Sequence, residues 1–268
     1  MPVYKAGDRK DLSNYRPLSV LPLLSKVIER CMADRVNDFL IKFSIITRKQ
    51  FGFQKNRSTQ DALIALTEHI YENLNNKRHT VSIFLDLSKA FDTVNHGILF
   101  RGVSHRWLGS YLCNRRQSVR IGKTFSSLKT INIGVPQGSI LGPILFLLYI
   151  NDMPNVSNYL YTFLFADDTA VMMSDSSAES LNDNLNRELN LLNEWFINNR
   201  LSLNVQKSCY LIFSNSRDVQ SYPFRIEMCS AGMLCKPLTK YLGIIVDSRL
   251  NFEPVSYTHL TLPTKRIV

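Results

Sequence analysis

The sequence predicts an α+β fold, with an antiparallel sheet backed by helices, from two kinds of apolar pattern. Short runs of apolar, aromatic and β-branched residues predict strands at 80–87, 159–165 and 170–173. Apolar residues at helical spacing predict helices at 24–43, 63–74 and 181–196. The chain has 268 residues, enough for one large or two modest domains with a sizeable core.

The helical stripes are predicted to be core faces. In the first helix the stripe consists of Leu24, Val27, Ile28, Cys31, Val36, Phe39, Leu40 and Phe43. In the last helix it consists of Leu181, Leu185, Leu189, Leu192 and Phe196, and we expect it to cover the sheet. Ser58 or Thr59 can cap the middle helix.

Two adjacent acids, Asp167 and Asp168, lie between two of the predicted strands. We therefore expect them at or near the tip of a β-hairpin. Neighbouring side chains on a strand point to opposite faces, so two such charges cannot both be buried in a core. One interpretation is that an Asp caps the turn. The other is a functional site, which the next acidic strand favours.

Asp86 lies near the end of the strand 80–87. A charged side chain near the end of an apolar strand is costly unless it is paired or binds a metal. If Asp86 lies beside Asp167 and Asp168, the three like charges oppose joint ionisation, and a divalent cation removes the conflict. Carboxylate oxygens favour Mg²⁺. These residues are the predicted catalytic acids and ligands of two Mg²⁺ ions, with Mn²⁺ as a substitute, in two-metal phosphoryl transfer.

Three motifs in this order resemble those of a reverse transcriptase, most closely the non-LTR (LINE-type) retrotransposon class. The motifs are Leu85–Asp92, Gly134–Pro143 and Phe165–Asp168, and the resemblance runs from Lys5 to Phe252. It implies a right-hand polymerase fold, with a mainly helical fingers subdomain in 1–79 and a palm with the remaining fingers segment in 80–253. The implied function is RNA-directed DNA synthesis, with an RNA template, a DNA primer and a dNTP as partners.

Five residues are predicted to bind the nucleotide. Lys55 and Arg57 precede a helix N-terminus, which favours a phosphate, and the resemblance assigns this motif to the incoming triphosphate. The resemblance makes Phe91 the steric gate against a ribose 2′-hydroxyl, and places Gln137 and Gly138 against the nucleotide and the template base. The alternatives are solvated cations, a core Phe and a plain loop before a helix.

The resemblance also supplies two further site predictions. It places Lys207 near the departing pyrophosphate, where a cation could protonate or neutralise that group; a surface lysine is the equal alternative. It likens Tyr241, Leu242 and Gly243 to the primer-grip hairpin.

The charge of the chain indicates an anionic partner. The net charge is +10 and the pI about 9.4. No Asp or Glu occurs between Thr93 and Asn151, whereas basic residues recur there among aromatic ones. Such a stretch is typical of a template–primer groove. Its predicted nucleic-acid contacts are Arg115, Arg116, Arg120 and Lys123.

Other features exclude several classes of protein. The five cysteines are odd in number and form no CxxC pair, which argues against a zinc site or disulfide framework and fits a reducing compartment. The longest apolar run, Ile140 to Ile150, is far shorter than the ~20 residues of a membrane span. We therefore expect no membrane partner and an intracellular location, cytoplasmic or nuclear from the resemblance.

Two departures from the family leave alternatives open. The segment after Phe100 is shorter than in the family by about two helical turns. Residues 254–268 resemble adaptor-like sequence and are excluded from the fold prediction; no thumb, endonuclease domain or RNase H carboxylate set is recognised. The first alternative is therefore an inactive remnant that still binds nucleic acid. The second is a group II intron-type maturase, against which Phe165 argues because that group more often has Tyr there.

Overall fold

We describe the protein from a computed structural model, in which the described residues are 1–4, 7–102 and 106–251. The predicted tail, 254–268, lies outside them. The α-helices are α1 (Leu23–Lys42), α2 (Thr59–Asn75), α3 (Ala90–Thr93), α4 (His96–Gly102), α5 (Arg106–Leu112), α6 (Leu141–Tyr149), α7 (Ala178–Asn198) and α8 (Arg217–Ser221). Short 3₁₀ turns span Leu12–Asn14 and Met153–Asn155.

The strands form one large sheet and several two-stranded ribbons. Their bounds are β1 (Pro2–Tyr4), β2 (Tyr15–Pro17), β3 (His79–Leu85), β4 (Arg115–Gln117), β5 (Arg120–Ile121), β6 (Thr124–Phe125), β7 (Lys129–Ile131), β8 (Tyr161–Phe165), β9 (Asp168–Asp175), β10 (Cys209–Phe213), β11 (Glu227–Met228), β12 (Ala231–Gly232), β13 (Leu234–Cys235), β14 (Leu238–Tyr241) and β15 (Ile244–Asp247).

The large sheet has the order β13-β10-β3-β9-β8, with β3 at its centre. The pairs β10–β3, β3–β9 and β9–β8 are antiparallel, as predicted. The prediction of a purely antiparallel sheet is nevertheless wrong, because β13 lies parallel to β10. The chain between these two strands passes through α8 and the β11–β12 ribbon, and this crossover lets β13 enter in the same direction as β10.

Each face of the sheet is covered by its own core. On one face, Val81 and Ile83 join a cluster that includes the α7 residues Leu185 and Leu189. On the other face, Phe84 packs in a cluster with residues of α2 and the β14–β15 hairpin. The predicted core stripe of α7 is confirmed, since its five members are at most 1% exposed. Burial on both faces explains why the central strands carry apolar residues on both faces.

The predicted core face of α1 is mostly wrong. Leu24 is 77% exposed, and the buried residues of the helix are Glu29, Ala33 and Leu40. The exposed members of the predicted stripe are Leu24, Val27, Ile28, Cys31, Phe39 and Phe43. The physical reason is that the Glu29 carboxylate, not the apolar stripe, turns inward, where it accepts hydrogen bonds from α5 and the start of α6.

Part of the acid-free stretch forms an exposed arm, which we call the basic ribbon (residues 115–131). Strand β4 pairs with β7, and the β5–β6 hairpin forms its end. Every residue from 116 to 130 is exposed. Within the described residues, no helix combines the length and apolar character needed to cross a membrane.

Candidate active site

The acid pair lies at the tip of a hairpin, as the sequence predicts. Strands β8 and β9 are joined by Ala166 and Asp167, and Phe165 pairs with Asp168 across the turn. Ala166 has φ of +55°, an uncommon value for a residue with a side chain. Asp167 is half-buried and Asp168 exposed, so the tip presents carboxylates towards solvent rather than the core.

The register of β3 and β9 brings the third acid to the same end of the sheet. Leu85 pairs with Thr169 at this end of the ladder; Asp86 directly follows Leu85, and Asp168 directly precedes Thr169. Directly opposed residues of an antiparallel pair present their side chains on the same face. The backbone register therefore brings the two acidic segments to the same end of the sheet, and the roles of the acids stay predictions.

A turn at residues 204–208 fixes the backbone of Asp86. The Asp86 amide donates to Ser208 Oγ at 3.0 Å, and the Asn204 amide donates to the Asp86 carbonyl at 2.8 Å. Ser208 Oγ in turn donates to the Asn204 carbonyl at 2.8 Å. The predicted residue Lys207 belongs to this turn and is exposed. The structure thus puts Lys207 on the segment that contacts Asp86.

The carboxylates are not assembled as a ligand set. In the described part of the chain, no group of three Asp, Glu, His or Cys side chains is placed to hold a metal ion. The donor chemistry itself suits Mg²⁺, because the acids at this end of the sheet offer carboxylate oxygens. Ion binding would therefore require their side chains to reorient on a backbone that already brings them together.

The loop before α2 contains the two predicted phosphate-binding cations. Ser58 caps α2 in a capping box with Asp61, which confirms the predicted cap. The Arg57 guanidinium donates to the carbonyls of Arg48 and Gln50, and its Cζ lies 4.8 Å from the centroid of the Phe51 ring. Lys55 is exposed. Arg57 therefore shapes its own loop, and its contact with a triphosphate stays a prediction.

Phe91 lies between a core helix and this loop. Its ring stacks on Phe146 of α6, with centroids 4.6 Å apart, and meets the edge of Phe53 at 6.4 Å. The contact with Phe146 is that of a core residue, whereas Phe53 is 57% exposed. Phe91 is thus half-buried, and its position suits both interpretations made from the sequence.

Two tethers fix the predicted nucleotide-binding loop before α6. The Gln137 amide Nε2 donates to Asp92 Oδ1 at 2.9 Å, and the Ser19 amide donates to the Gln137 carbonyl at 2.8 Å. Burial raises the pKa of Asp92, while the bond from Gln137 opposes that rise. Gly138 has φ of +98°, and a Cβ there would lie 3.2 Å from Leu18 Cδ1. The close approach and the positive φ both favour glycine.

The predicted primer-grip residues form the hairpin β14–β15. Leu242 and Gly243 make its turn, with φ of +47° and +91°. Tyr241 packs on Phe84 of β3, with ring centroids 5.0 Å apart. Burial raises the pKa of Tyr241, and the charge of Asp168 raises it further. The hairpin therefore lies close to the acidic end of the sheet.

The basic ribbon carries the predicted nucleic-acid contacts. Arg116, Arg120 and Lys123 are exposed, and Arg120 lies over the Phe125 ring at 5.5 Å. Arg115 is different, because its guanidinium lies 5.0 Å from the Tyr111 ring centroid and donates to the Tyr111 carbonyl at 3.3 Å. Arg115 therefore holds the base of the ribbon, while the other three side chains face solvent.

Sequence reasoning missed three polar residues of this region. Ser208 fixes Asp86, Glu29 joins α1 to the loop before α6, and Gln50 contacts the β8–β9 turn. Their partners are 122, 111 and 116 residues away in sequence, so no local pattern reveals them.

Residues 4–246 match the family described as reverse transcriptase (RNA-dependent DNA polymerase). The chain is a reverse transcriptase domain. The reverse transcriptase domain is 32% identical to a probable RNA-directed DNA polymerase from transposon BS of Drosophila melanogaster, over 98% of the chain and 30% of the relative. It is also 32% identical to the RNA-directed DNA polymerase from mobile element jockey of Drosophila funebris, over 91% of the chain and 28% of the relative. The predicted non-LTR retrotransposon family is confirmed.

The reverse transcriptase domain spans about 30% of the length of these relatives. Its fold resembles that of telomerase from Candida tropicalis in complex with a fragment of telomeric RNA, with a TM-score of 0.55 at 13% identity. This likeness covers 91% of the chain and 39% of the telomerase. The apo telomerase of the same organism also gives a TM-score of 0.55, at 12% identity over 87% of the chain and 41% of the telomerase. At such low identity the likeness shows the fold alone.

Proposed function

We propose that this reverse transcriptase domain synthesises DNA on an RNA template with Asp86, Asp167 and Asp168 as its catalytic acids. The observation that supports this most strongly is the pairing of Leu85 with Thr169, since Asp86 follows the first and Asp168 precedes the second. The primer 3′-hydroxyl attacks the α-phosphate of a deoxynucleotide, and pyrophosphate leaves. Little covalent chemistry falls to the protein, so positioning and charge stabilisation dominate.

The three carboxylates would hold two Mg²⁺ ions, or Mn²⁺ in their place. When bound, such ions neutralise charge on the triphosphate and stabilise the attacking and leaving oxygens. The protein supplies the backbone that presents the acids: the hairpin tip for Asp167 and Asp168, and the 204–208 turn for Asp86. Lys207, exposed on that turn, would supply positive charge to the departing pyrophosphate.

Nucleotide selection would use the residues around the loop before α6. Phe91 would exclude a ribose 2′-hydroxyl, and its stacking on Phe146 would keep the ring from retreating. Gln137 and Gly138 would support the base pair, and the bond from Gln137 to Asp92 keeps that loop in place. Arg57 and Lys55 would approach the triphosphate from the loop before α2.

The nucleic acid would lie along the exposed cations and the grip hairpin. Arg116, Arg120 and Lys123 would contact phosphates, which needs no particular sequence. Arg115 would act at the base of the ribbon. Tyr241, Leu242 and Gly243 would hold the primer end near Asp168. We divide the chain accordingly into fingers, 1–79, and palm with the remaining fingers segment, 80–253.

The proposal is tested by Asp167→Asn in a version of the domain that extends a DNA primer on RNA. Loss of one ligand charge should abolish extension and leave binding to an RNA–DNA hybrid within about threefold, because binding depends on the cations. Ser176→Ala, beyond the end of β9, is the matched control and should extend normally. Normal extension by Asp167→Asn would remove this residue from the site.

A second candidate function is binding of nucleic acid without synthesis. The exposed cations of the basic ribbon favour it, since they attract phosphates whether or not the carboxylates are assembled. The two candidates differ in one measurement: only the first predicts incorporation of dNTPs that depends on the template and on Asp167. No observation in the structure favours the maturase alternative.

A further inference from the structure

We propose that Gln50 is a positioning residue of the polymerase site, whose side-chain amide holds the turn that carries Asp167. This inference rests on the proposed function, because it gives Gln50 a role only through the carboxylates. No pattern in the sequence singles the residue out. Its burial and its contacts in the structure identify it.

Gln50 belongs to a segment that runs beside β8 like an additional short strand. It forms a parallel bridge with Leu164. The Phe51 amide donates to the Leu164 carbonyl at 2.7 Å, and the Leu164 amide donates to the Lys49 carbonyl at 2.9 Å. Gln50 itself is 1% exposed. Its side chain is therefore fixed against the hairpin rather than free in solvent.

The Gln50 side-chain oxygen reaches the turn itself. Oε1 accepts from the Ala166 amide at 3.1 Å and from the Gly52 amide at 2.8 Å. Ala166 precedes Asp167 and has φ of +55°, so its peptide has a conformation that needs outside support. By fixing that peptide, Oε1 fixes the backbone from which the Asp167 carboxylate extends.

Gly52 shows how closely the two segments meet. A Cβ at Gly52 would lie 2.3 Å from the Ala166 nitrogen and 2.8 Å from the Phe165 carbonyl carbon. No side chain fits there without separating the loop from the turn. The glycine lets Gln50 Oε1 bond to both amides at once.

The Gln50 amide nitrogen carries an energetic cost. Nε2 is buried and has no hydrogen-bond partner within the described residues. Burying such a donor without a partner destabilises the fold. A neutral amide nevertheless has an advantage over a carboxylate here. It offers an acceptor to Ala166 without adding a negative charge next to Asp167, where like charges oppose ionisation.

The test is a titration of the whole 268-residue chain with Mn²⁺, in which free Mn²⁺ is followed by electron paramagnetic resonance. Gln50→Met keeps the size of the side chain and removes the acceptor, so we expect about tenfold weaker Mn²⁺ binding, as is usual when a group supporting a metal ligand is lost. Gln60→Met, at an exposed position of α2, is the matched control and should bind like the unmodified chain.

Hydrogen exchange at the Ala166 amide provides a second measurement that needs no metal. We expect Gln50→Met to speed exchange at Ala166 at least about tenfold while the melting temperature shows that the domain remains folded. If Gln50→Met does not fold, Gln50→Asn replaces it in both measurements. Asn keeps the amide, but its side chain is one methylene group shorter, which moves the oxygen away from the Ala166 amide.

Asp167→Asn separates failure of this inference from failure of the proposed function. If Asp167→Asn weakens Mn²⁺ binding but folded Gln50→Met does not, the inference about Gln50 is overturned and the proposed site stands. If Asp167→Asn binds Mn²⁺ like the unmodified chain, the proposed metal site itself fails. Unchanged exchange at Ala166 in Gln50→Met would also overturn the inference.

Discussion

Glu29 Oε2 lies 2.7 Å from the amide nitrogen of Ile140, 111 residues further along the chain. The other carboxylate oxygen accepts from the Tyr111 hydroxyl at 2.9 Å. Burial raises the pKa of Tyr111 to about 12, and Glu29 contributes to that rise. One acid thus joins α1, α5 and the loop that carries Gln137 and Gly138.

Glu29→Ala should destabilise the domain by about 2–3 kcal/mol, because it leaves a part-buried amide and a part-buried hydroxyl without their charged acceptor. Urea unfolding measures the change. Asp38→Ala, at an exposed position of the same helix, should change stability by at most about 0.5 kcal/mol. Equal effects of the two substitutions would show that Glu29 contributes no more than a surface acid.

Phe91→Ala should increase the use of ribonucleotides relative to deoxynucleotides by about tenfold or more, since it opens the space that a 2′-hydroxyl needs. The measurement is the ratio of kcat/KM for rNTP and dNTP in an active version of the domain. Phe53→Ala removes the neighbouring ring and is the matched control. An unchanged ratio with activity intact would make Phe91 a core residue only.

Binding to an RNA–DNA hybrid should weaken steeply as salt rises, with little sequence preference. Replacing Arg116, Arg120 and Lys123 by Ala should reduce the slope of log Kd against log salt by about 0.7–0.9 for each lost phosphate contact. Fluorescence anisotropy at several salt concentrations measures it. Lys10→Ala, at an exposed position far from the ribbon in sequence, should leave the slope unchanged. A triple variant with the slope of the unmodified chain would remove the ribbon from the nucleic-acid interface.

The 268-residue chain should bind nucleic acid but extend primers poorly. The match to the BS element covers 281 aligned positions, more than the 268 residues of the chain, so that relative has residues that this chain lacks. If the missing segment follows Phe100, the Asp86 strand loses support, and a shift of about 1 Å can cost about 100-fold in rate. Restoring a family-length segment after Phe100 should therefore raise extension about 100-fold or more. Equal extension by both versions would show that the shorter segment is harmless.

The sequence predicts the parts of this fold that depend on local periodicity. The short apolar run at 80–87 predicts the β3 strand, and the apolar flanks of Asp167 and Asp168 predict the hairpin. The predicted core face of α1 is wrong because an apolar stripe on a helix is buried only where another element packs against it. Glu29 is buried because it accepts hydrogen bonds from Ile140 and Tyr111. The spacing of apolar residues within the helix does not predict such distant contacts.

The candidate site likewise has residues that local motifs predict and residues that only long-range contacts reveal. Motif resemblance predicts Asp86, Asp167 and Asp168 as site residues, and the register shows that their segments reach the same end of the sheet. The sequence does not predict the contacts of Gln50, Ser208 and Gly52, because their partners lie 114 to 122 residues away. Whether a buried amide supports a turn depends on tertiary packing, and no propensity encodes it.

The most direct test of the account is extension of a DNA primer on an RNA template in Mg²⁺ by the domain with the segment after Phe100 restored, compared with its Asp86→Asn variant. Asp86 lies 81 residues before Asp167, and the pairing of β3 with β9 brings their segments to the same end of the sheet. We predict template-dependent incorporation by the restored domain and a loss of at least about 1,000-fold in Asp86→Asn, with hybrid binding retained. Incorporation by Asp86→Asn at the rate of its parent would contradict the account.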